Sequence, residues 1–255
     1  MSTSIASSAF QYVDRAIAAA PVRTVPWEHI VAENVFAPDA YGEIEATFPR
    51  DLAVYHRQWK IDPALYHGTH DRRLEAFLPR DAELLTDAQR TFWTPLVEHL
   101  SGARFIRGLI ERFRPPLAAR FGTDLDAPDF VERRLDVRFM FALHEPNYAL
   151  GVHTDIAWKV LTLIFYVPDR GDDESLGTAL YVPRDPNLVS DGSRHLDPAL
   201  FRHVATVPFR ANSALIFARG DHTFHGVEPC TAEALGGSLR PGFHVNIVER
   251  RPAAR

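Results

Sequence analysis

The chain has 255 residues, of which 46% are hydrophobic and 24% charged. That length and balance give a core large enough to enclose an internal pocket and exclude disorder as the main state. A net charge of −5 at pH 7 without a basic tract argues against nucleic acid or an anionic membrane as partner. The single cysteine, Cys230, excludes an intrachain disulfide and any multi-cysteine zinc or iron–sulfur site. The N-terminus carries no basic segment followed by an apolar one, and the strongest apolar run, 160–167, is too short to span a bilayer. A cytoplasmic location is the expectation.

Residues 6–20 form an Ala-rich amphipathic helical stretch, and 25–36 alternate as a strand does. Residues 38–49 read as a helix opened by Pro38 and closed before Pro49. The polar segment 51–79, rich in His and Arg, reads as a surface loop or lid. Between 84 and 113 an apolar stripe of Phe92, Leu96, Leu100, Phe105, Leu109 and Phe113 predicts one long helix, or two divided near Ser101-Gly102. Pro115-Pro116 interrupts it, with a short helix to Phe121 following.

From about residue 130 the texture changes to short β-branched and aromatic runs at 131–143, 160–167, 178–182, 204–209, 214–218 and 243–248, separated by turn clusters. Helices followed by antiparallel-looking strands predict an α+β fold whose best specific form is a jelly roll backed by N-terminal helices. No Gly/Pro/Ser-rich linker lies near residue 125, so the expectation is one domain over 1–255, with helical support and lid over about 1–125 and a catalytic core over about 126–250.

Chemistry is suggested by spacing rather than by the twelve histidines as such. His153 and Asp155 stand two apart in Gly-Val-His-Thr-Asp, so at a strand end they face the same way. Seventy residues after Asp155, His225 in His-Thr-Phe-His-Gly-Val offers a third ligand, with His222 as its rival. Two imidazoles and one carboxylate on a β scaffold form the facial set that binds Fe(II) and leaves positions open; a structural zinc site would ordinarily use thiolates. Arg240, fifteen residues beyond His225, has the bidentate geometry to hold a carboxylate at a pocket floor.

Taken together, His153-Thr-Asp155, the strand beginning Lys159-Val-Leu-Thr-Leu, Leu176-Gly-Thr-Ala-Leu-Tyr, Asn212-Ser-Ala-Leu-Ile-Phe, His225-Gly-Val and Arg240 resemble the successive landmarks of the Fe(II)- and 2-oxoglutarate-dependent oxygenases. The opening 30–41 also resembles that of bacterial small-molecule hydroxylases. The resemblance implies a double-stranded β-helix of cupin-like type, with His153, Asp155 and His225 as iron ligands and Arg240 holding the distal carboxylate of 2-oxoglutarate. It implies O2 as oxidant, with succinate and CO2 released as a substrate C–H bond is hydroxylated. Asp155 is itself informative, because chlorinating relatives carry Gly or Ala there; hydroxylation is expected.

One departure stands out. Many relatives place Ser or Thr two residues after the Arg to assist the same carboxylate, whereas Arg240 is followed by Pro241-Gly242. Tyr148, Thr162 and Asn246 are the candidate second anchors. Arg72 and Arg73 are candidate clamps for a substrate carboxylate and Trp158 a candidate pocket wall, while Lys159 calls for either solvent or a partner. The expected substrate is a small molecule, a free or modified amino acid or a natural-product intermediate. The alternatives are a peptidyl or protein hydroxylase and a cupin-like metal-binding module without turnover. Sequence leaves the oligomeric state open, a homodimer included.

Overall fold

The structure, a computed structural model, describes residues 3–57 and 72–250, with side chains from residue 10 onward. The chain opens with helix α1 (Thr3–Ala19), a short strand β1 (Val22–Arg23), strand β2 (His29–Glu33) and helix α2 (Pro38–Thr47). Strand β2 is shorter than the alternation suggested. Four of its five residues are buried, so both its faces are covered.

The expected lid is the main correction to the fold. Its described parts include strands β3 (His56–Arg57) and β4 (Arg73–Leu78), which pair with each other and extend a sheet. Residues 58–71 lie outside the described residues. Charged residues at 72, 73 and 75 mask the strand in sequence, yet Leu74, Ala76 and Leu78 supply its alternate apolar positions.

The apolar stripe at 84–113 forms two helices, α3 (Asp87–Ser101) and α4 (Ala103–Arg112), divided at Gly102. A capping box between Thr86 and Gln89 starts α3, and extended backbone at Gly102 ends it. Helix α5 (Arg114–Phe121) accommodates Pro115 and Pro116 in its first turn, where a missing N–H costs least. Residues 131–134, expected to begin a strand, instead lie in helix α6 (Phe130–Arg134).

Eight strands follow: β5 (Leu135–His144), β6 (Leu150–His153), β7 (Lys159–Tyr166), β8 (Asp173–Pro183), β9 (Phe201–Phe209), β10 (Ser213–Ala218), β11 (His225–Val227) and β12 (Arg240–Glu249), with a one-turn helix α7 (Ala232–Leu235) before the last. All their pairings are antiparallel. One sheet runs β1-β2-β10-β7-β12-β5-β4-β3 and the other β6-β11-β8-β9. The fold is α+β with antiparallel sheets, as expected.

Alternation along the strands of the large sheet divides its two faces. Phe139, Phe141, Leu163, Phe165, Phe243 and Val245 point to the helices, where Trp93 is fully buried with its ring 4.7 Å from Phe141 and 5.2 Å from Phe243. Ile164, Tyr166, Leu215 and Phe217 point the other way, into the space between the sheets. That inner face also carries a polar stripe: Arg73 on β4, His144 on β5, Arg240 and His244 on β12, and Thr162 on β7. Burying so many polar groups along one face is costly unless they meet partners or a ligand.

Candidate metal and dicarboxylate site

His153 ends β6 and His225 begins β11, and the two are direct partners in the antiparallel register. Their rings lie 4.3 Å apart, centroid to centroid. Asp155 follows His153 in the turn that leads to β7. One ligand atom from each of His153, Asp155 and His225 lies within 4.8 Å of the others. His222, the rival third ligand, is exposed.

The proton arrangement suits a cation. Nδ1 of His153 is 2.9 Å from the carbonyl oxygen of Gly151, and Nδ1 of His225 is 2.9 Å from that of Thr223. A carbonyl can only accept, so each Nδ1 carries the proton and each Nε2 presents a lone pair. Burial lowers the pKa of both rings, reinforced at His153 by the neighbouring His225 and His195, so both stay neutral. Burial opposes ionisation of Asp155, but the Lys159 ammonium outweighs it and holds the carboxyl well below the usual carboxylate range.

Both oxygens of Asp155 are engaged. Lys159 Nζ lies 2.6 Å from Oδ1, and the Thr162 hydroxyl donates to Oδ2 at 2.6 Å. A register shift where β12 meets the start of β7 pairs Val248 with Lys159 and Ile247 with Leu161. The extra residue turns Lys159 away from the helix-facing side of Leu161 and toward Asp155. The Asp155 backbone is fixed as well: its carbonyl accepts from Arg219 Nε, while Thr154 Oγ1 and Arg219 Nη2 both donate to the Ser190 carbonyl.

Arg240, the first residue of β12, is 3% exposed. Its Nε donates to the Leu176 carbonyl and its Nη1 donates to His144 Nδ1 at 2.9 Å, while its Nη2 is buried without a partner. The guanidinium lies 4.9 Å from the centre of the Phe209 ring. No carboxylate pairs with it among the described residues. The cavity that holds these groups is lined by Arg73, His144, Tyr148, His153, Asp155, Lys159, Thr162, His225, Arg240 and His244 together with Leu150, Ile164, Thr178 and Val227. The space between these side chains is small, about 60 Å³. A larger groove between α1 and the β1–β2 edge lacks such convergent chemistry.

The remaining expected residues divide. Tyr148 is buried in the cavity wall, stacked on His144 with 3.9 Å between centroids and 9° between planes. Thr162 lines the cavity too, but its one hydroxyl proton is committed to Asp155, which corrects its expected role as a donor to the cosubstrate. Asn246 is buried opposite Thr162 and lies outside the cavity lining. Arg72 and Arg73 do not act as a pair: Arg72 is exposed, whereas Arg73 reaches the cavity and pairs with the buried Glu75 at 2.7 Å. Arg73 opens β4, whereas Arg72 precedes the strand. Trp158 does not wall the cavity; its ring packs under the guanidinium of Arg138, 4.5 Å from the centroid.

Two further histidines, His144 and His244, line the cavity, and a third, His195, packs beside His153. His144 and His244 follow from the same inward parity as Arg240. His195 reaches the site because Leu196 pairs with Val152, which sets the His195 ring 4.7 Å from His153. No local spacing announces that contact.

No protein-family model matches the chain, and no curated protein matches it. Among solved structures, the chain is similar to a prolyl-4-hydroxylase of Pseudomonas putida, at 11% identity over 94% of this chain and 99% of that one, with a TM-score of 0.48. It is similar to an oxidoreductase of the 2OG-Fe(II) oxygenase family from Burkholderia pseudomallei, at 11% identity over 86% and 84% of the two chains and a TM-score of 0.44. It is also similar to HygX of Streptomyces hygroscopicus, solved with nickel and 2-oxoglutarate bound, at 15% identity over 86% and 82% and a TM-score of 0.42.

Proposed function

We propose that this chain is a mononuclear Fe(II)- and 2-oxoglutarate-dependent oxygenase that hydroxylates a C–H bond of a small molecule. The observation that carries the reading is Arg240, a buried guanidinium with an unpartnered donor, in one cavity with two imidazoles and a carboxylate arranged to share an ion. A buried cation lacking a counter-charge is costly, and a dicarboxylate cosubstrate supplies what is missing.

His153, Asp155 and His225 fit a ferrous ion: two neutral imidazole nitrogens and one carboxylate, with no thiolate, oriented by backbone carbonyls behind the rings. A ferrous ion held there would supply O2 activation coupled to oxidative decarboxylation of 2-oxoglutarate to succinate and CO2. The protein's own task is to bind and orient. Arg240 fixes the far end of the cosubstrate, Thr162 and Lys159 hold the Asp155 carboxylate, and Leu150, Ile164 and Val227 keep water from the reacting centre.

The alternation of β5–β12 between two four-stranded sets, β5-β12-β7-β10 and β6-β11-β8-β9, supports a double-stranded β-helix for residues of about 126–250. The helices packed on its outer face support treating the whole chain as one catalytic unit.

Charge argues for the substrate class. Arg73, Lys159 and Arg240 face the cavity, and the acids set against them are Asp155 and Glu75. A divalent metal adds two positive charges and 2-oxoglutarate removes two, so one positive charge is left over, which favours a substrate bearing a carboxylate. Free or modified amino acids and carboxylated natural-product intermediates have that chemistry. A metal-binding module without turnover leaves the open donor of Arg240 unexplained.

The test is succinate release from 2-oxoglutarate, with Fe(II) and O2, across free amino acids and small carboxylates. Stimulation by one such compound is expected. Activity with peptides alone would replace the small-molecule reading with a peptidyl hydroxylase, and no succinate with any substrate would remove the oxygenase reading.

A further inference from the structure

The inner face of the large sheet carries two guanidiniums, and they aim at different places. Arg240 and Arg73 are both direct partners of His144, one from β12 and the other from β4, so β5, with the Tyr148 ring stacked on His144, separates them. Arg240 turns toward the small sheet: its Nε meets the Leu176 carbonyl, and its guanidinium lies over Phe209. Arg73 instead runs along the large sheet. Its Nη2 lies 3.8 Å from the sulfur of Met140, which is four residues and about 13 Å along β5 from His144. Met140 is the partner of His244, and His244 is the partner of Ile164. Ile164 is the next inward residue after Thr162, whose hydroxyl holds the Asp155 carboxylate. Arg73 therefore leans from the Arg240 end of the cavity toward the ion cluster. After burial itself, it is the largest influence lowering the pKa of His244, ahead of Lys159 and Arg240.

The strand that carries Arg73 is fixed where it starts. Glu145 donates its backbone N–H to the Arg72 carbonyl at 2.9 Å, and its carboxylate accepts from both Nη groups of Arg57, at 2.5 and 2.8 Å. Glu75 sets a carboxylate 2.7 Å from Arg73 Nε but off the N–H direction, so the two charges touch and that donor makes no hydrogen bond. Its other neighbours include the Met140 thioether, a weak acceptor, and the Tyr148 phenol. Contacts of this kind hold a guanidinium in place without exhausting its donors, and the side chain is 16% exposed, on the cavity. A guanidinium with donors in hand, facing a cavity, matches a carboxylate.

We infer that Arg73 binds the carboxylate of the substrate and is the residue that selects an acid over its neutral analogues. This deepens the proposed function and rests on it. Charge balance alone leaves the recognition of a substrate acid unplaced; Arg73 gives it one side chain, on the opposite side of β5 from the guanidinium assigned to the cosubstrate. Glu75 and Glu145 are then positioning residues, one for the guanidinium and one for the strand beneath it.

The experiment titrates protein loaded with Mn(II) and 2-oxoglutarate, by calorimetry, with free L-amino acids and short monocarboxylic acids, each beside its carboxamide. Wild-type protein should bind at least one acid, and bind the matching carboxamide about tenfold more weakly or worse. Arg73→Met should weaken that acid about 10- to 100-fold, the range for hydrogen bonds to a charged group, and leave the carboxamide and 2-oxoglutarate within about twofold. Arg73→Gln, whose side chain suits an amide, should narrow or invert the preference for acid over carboxamide, a change that damage to the fold does not produce. Because Arg73→Met takes a counter-charge from the buried Glu75, the double variant Arg73→Met/Glu75→Gln, with neither charge, should show the same pattern. Unchanged acid affinity in these variants, carboxamides bound as well as acids by wild-type protein, or an equal loss of 2-oxoglutarate would each overturn the assignment. Wild-type protein that binds 2-oxoglutarate but none of the acids removes Arg73 as an acid anchor and leaves the oxygenase reading in place. If it binds no 2-oxoglutarate, both fall.

Discussion

Lys159 Nζ sits 2.6 Å from Oδ1 of Asp155, so an ammonium rests against the carboxylate that the metal reading assigns to iron. The carboxylate is 5% exposed and the lysine 21%. Without metal, Lys159 is the nearest counter-charge for a buried anion. Lys159→Met should destabilise the metal-free protein by about 1–3 kcal/mol, below the ~3–5 kcal/mol for breaking a fully buried pair because the lysine is partly solvated. Excess Mn(II) should recover most of that loss, since a divalent ion replaces the missing charge. Urea unfolding with EDTA and with Mn(II) measures both. A loss that Mn(II) leaves untouched would mean that Lys159 acts by packing alone.

Gly192 backs the same residue from behind. Its φ is +80°, and a Cβ there would lie 2.2 Å from the Asp155 carbonyl oxygen. Gly192→Ala should cost more than about 1 kcal/mol and weaken Mn(II) binding, because the turn carrying Asp155 has to shift. Gly171→Ala, where nothing lies within 4 Å, is the matched control and should change neither.

Acid should unfold the metal-free protein early. Burial lowers the pKa of His144, His153, His225 and His244 in the folded state. In the unfolded chain each protonates near 6.5. Below about pH 6.5 the unfolded state therefore binds more protons than the folded one, and stability falls as pH falls. Above it these groups add no pH dependence. The depressed Asp155 carboxyl acts in the same direction at still lower pH, below its ordinary unfolded range near 3.9. Each full proton contributes a slope of about 1.4 kcal/mol per pH unit. Urea midpoints in EDTA between pH 7.5 and 5.5 should drop steadily; a flat profile would show these rings protonated in the fold.

Single removals at the ion cluster should be severe and alike. Asp155→Ala and His225→Ala should each abolish the visible charge-transfer band that anaerobic Fe(II) and 2-oxoglutarate give with the wild-type protein. Trp158→Ala should keep the band, since that ring packs on Arg138 away from the cavity.

What sequence made legible was what depends on short spacing. His153 and Asp155 are two apart, and the β-branched runs at 160–167 and 243–248 lie within β7 and at its exit, and within β12. Strand β4 was hidden because its inward residues, Arg73 and Glu75, are charged and pair with each other, so the segment reads as polar loop. Trp158 and Lys159 are neighbours, yet the register shift at the start of β7 sends only the lysine to the site. His144 required knowing that β5 and β12 are adjacent and in which register, information that no local pattern in either segment contains. Thr162 is a candidate second anchor by sequence, whereas its hydroxyl donates to Asp155, a partner that only the three-dimensional fold sets.

The most direct measurement is anomalous diffraction from crystals grown with Mn(II) and 2-oxoglutarate. One manganese peak is expected about 2.0–2.3 Å from Nε2 of His153, Nε2 of His225 and a carboxylate oxygen of Asp155, with the far carboxylate of the keto acid on Arg240. A manganese peak away from these three residues, or a keto acid bound with Arg240 still unpaired, would contradict it.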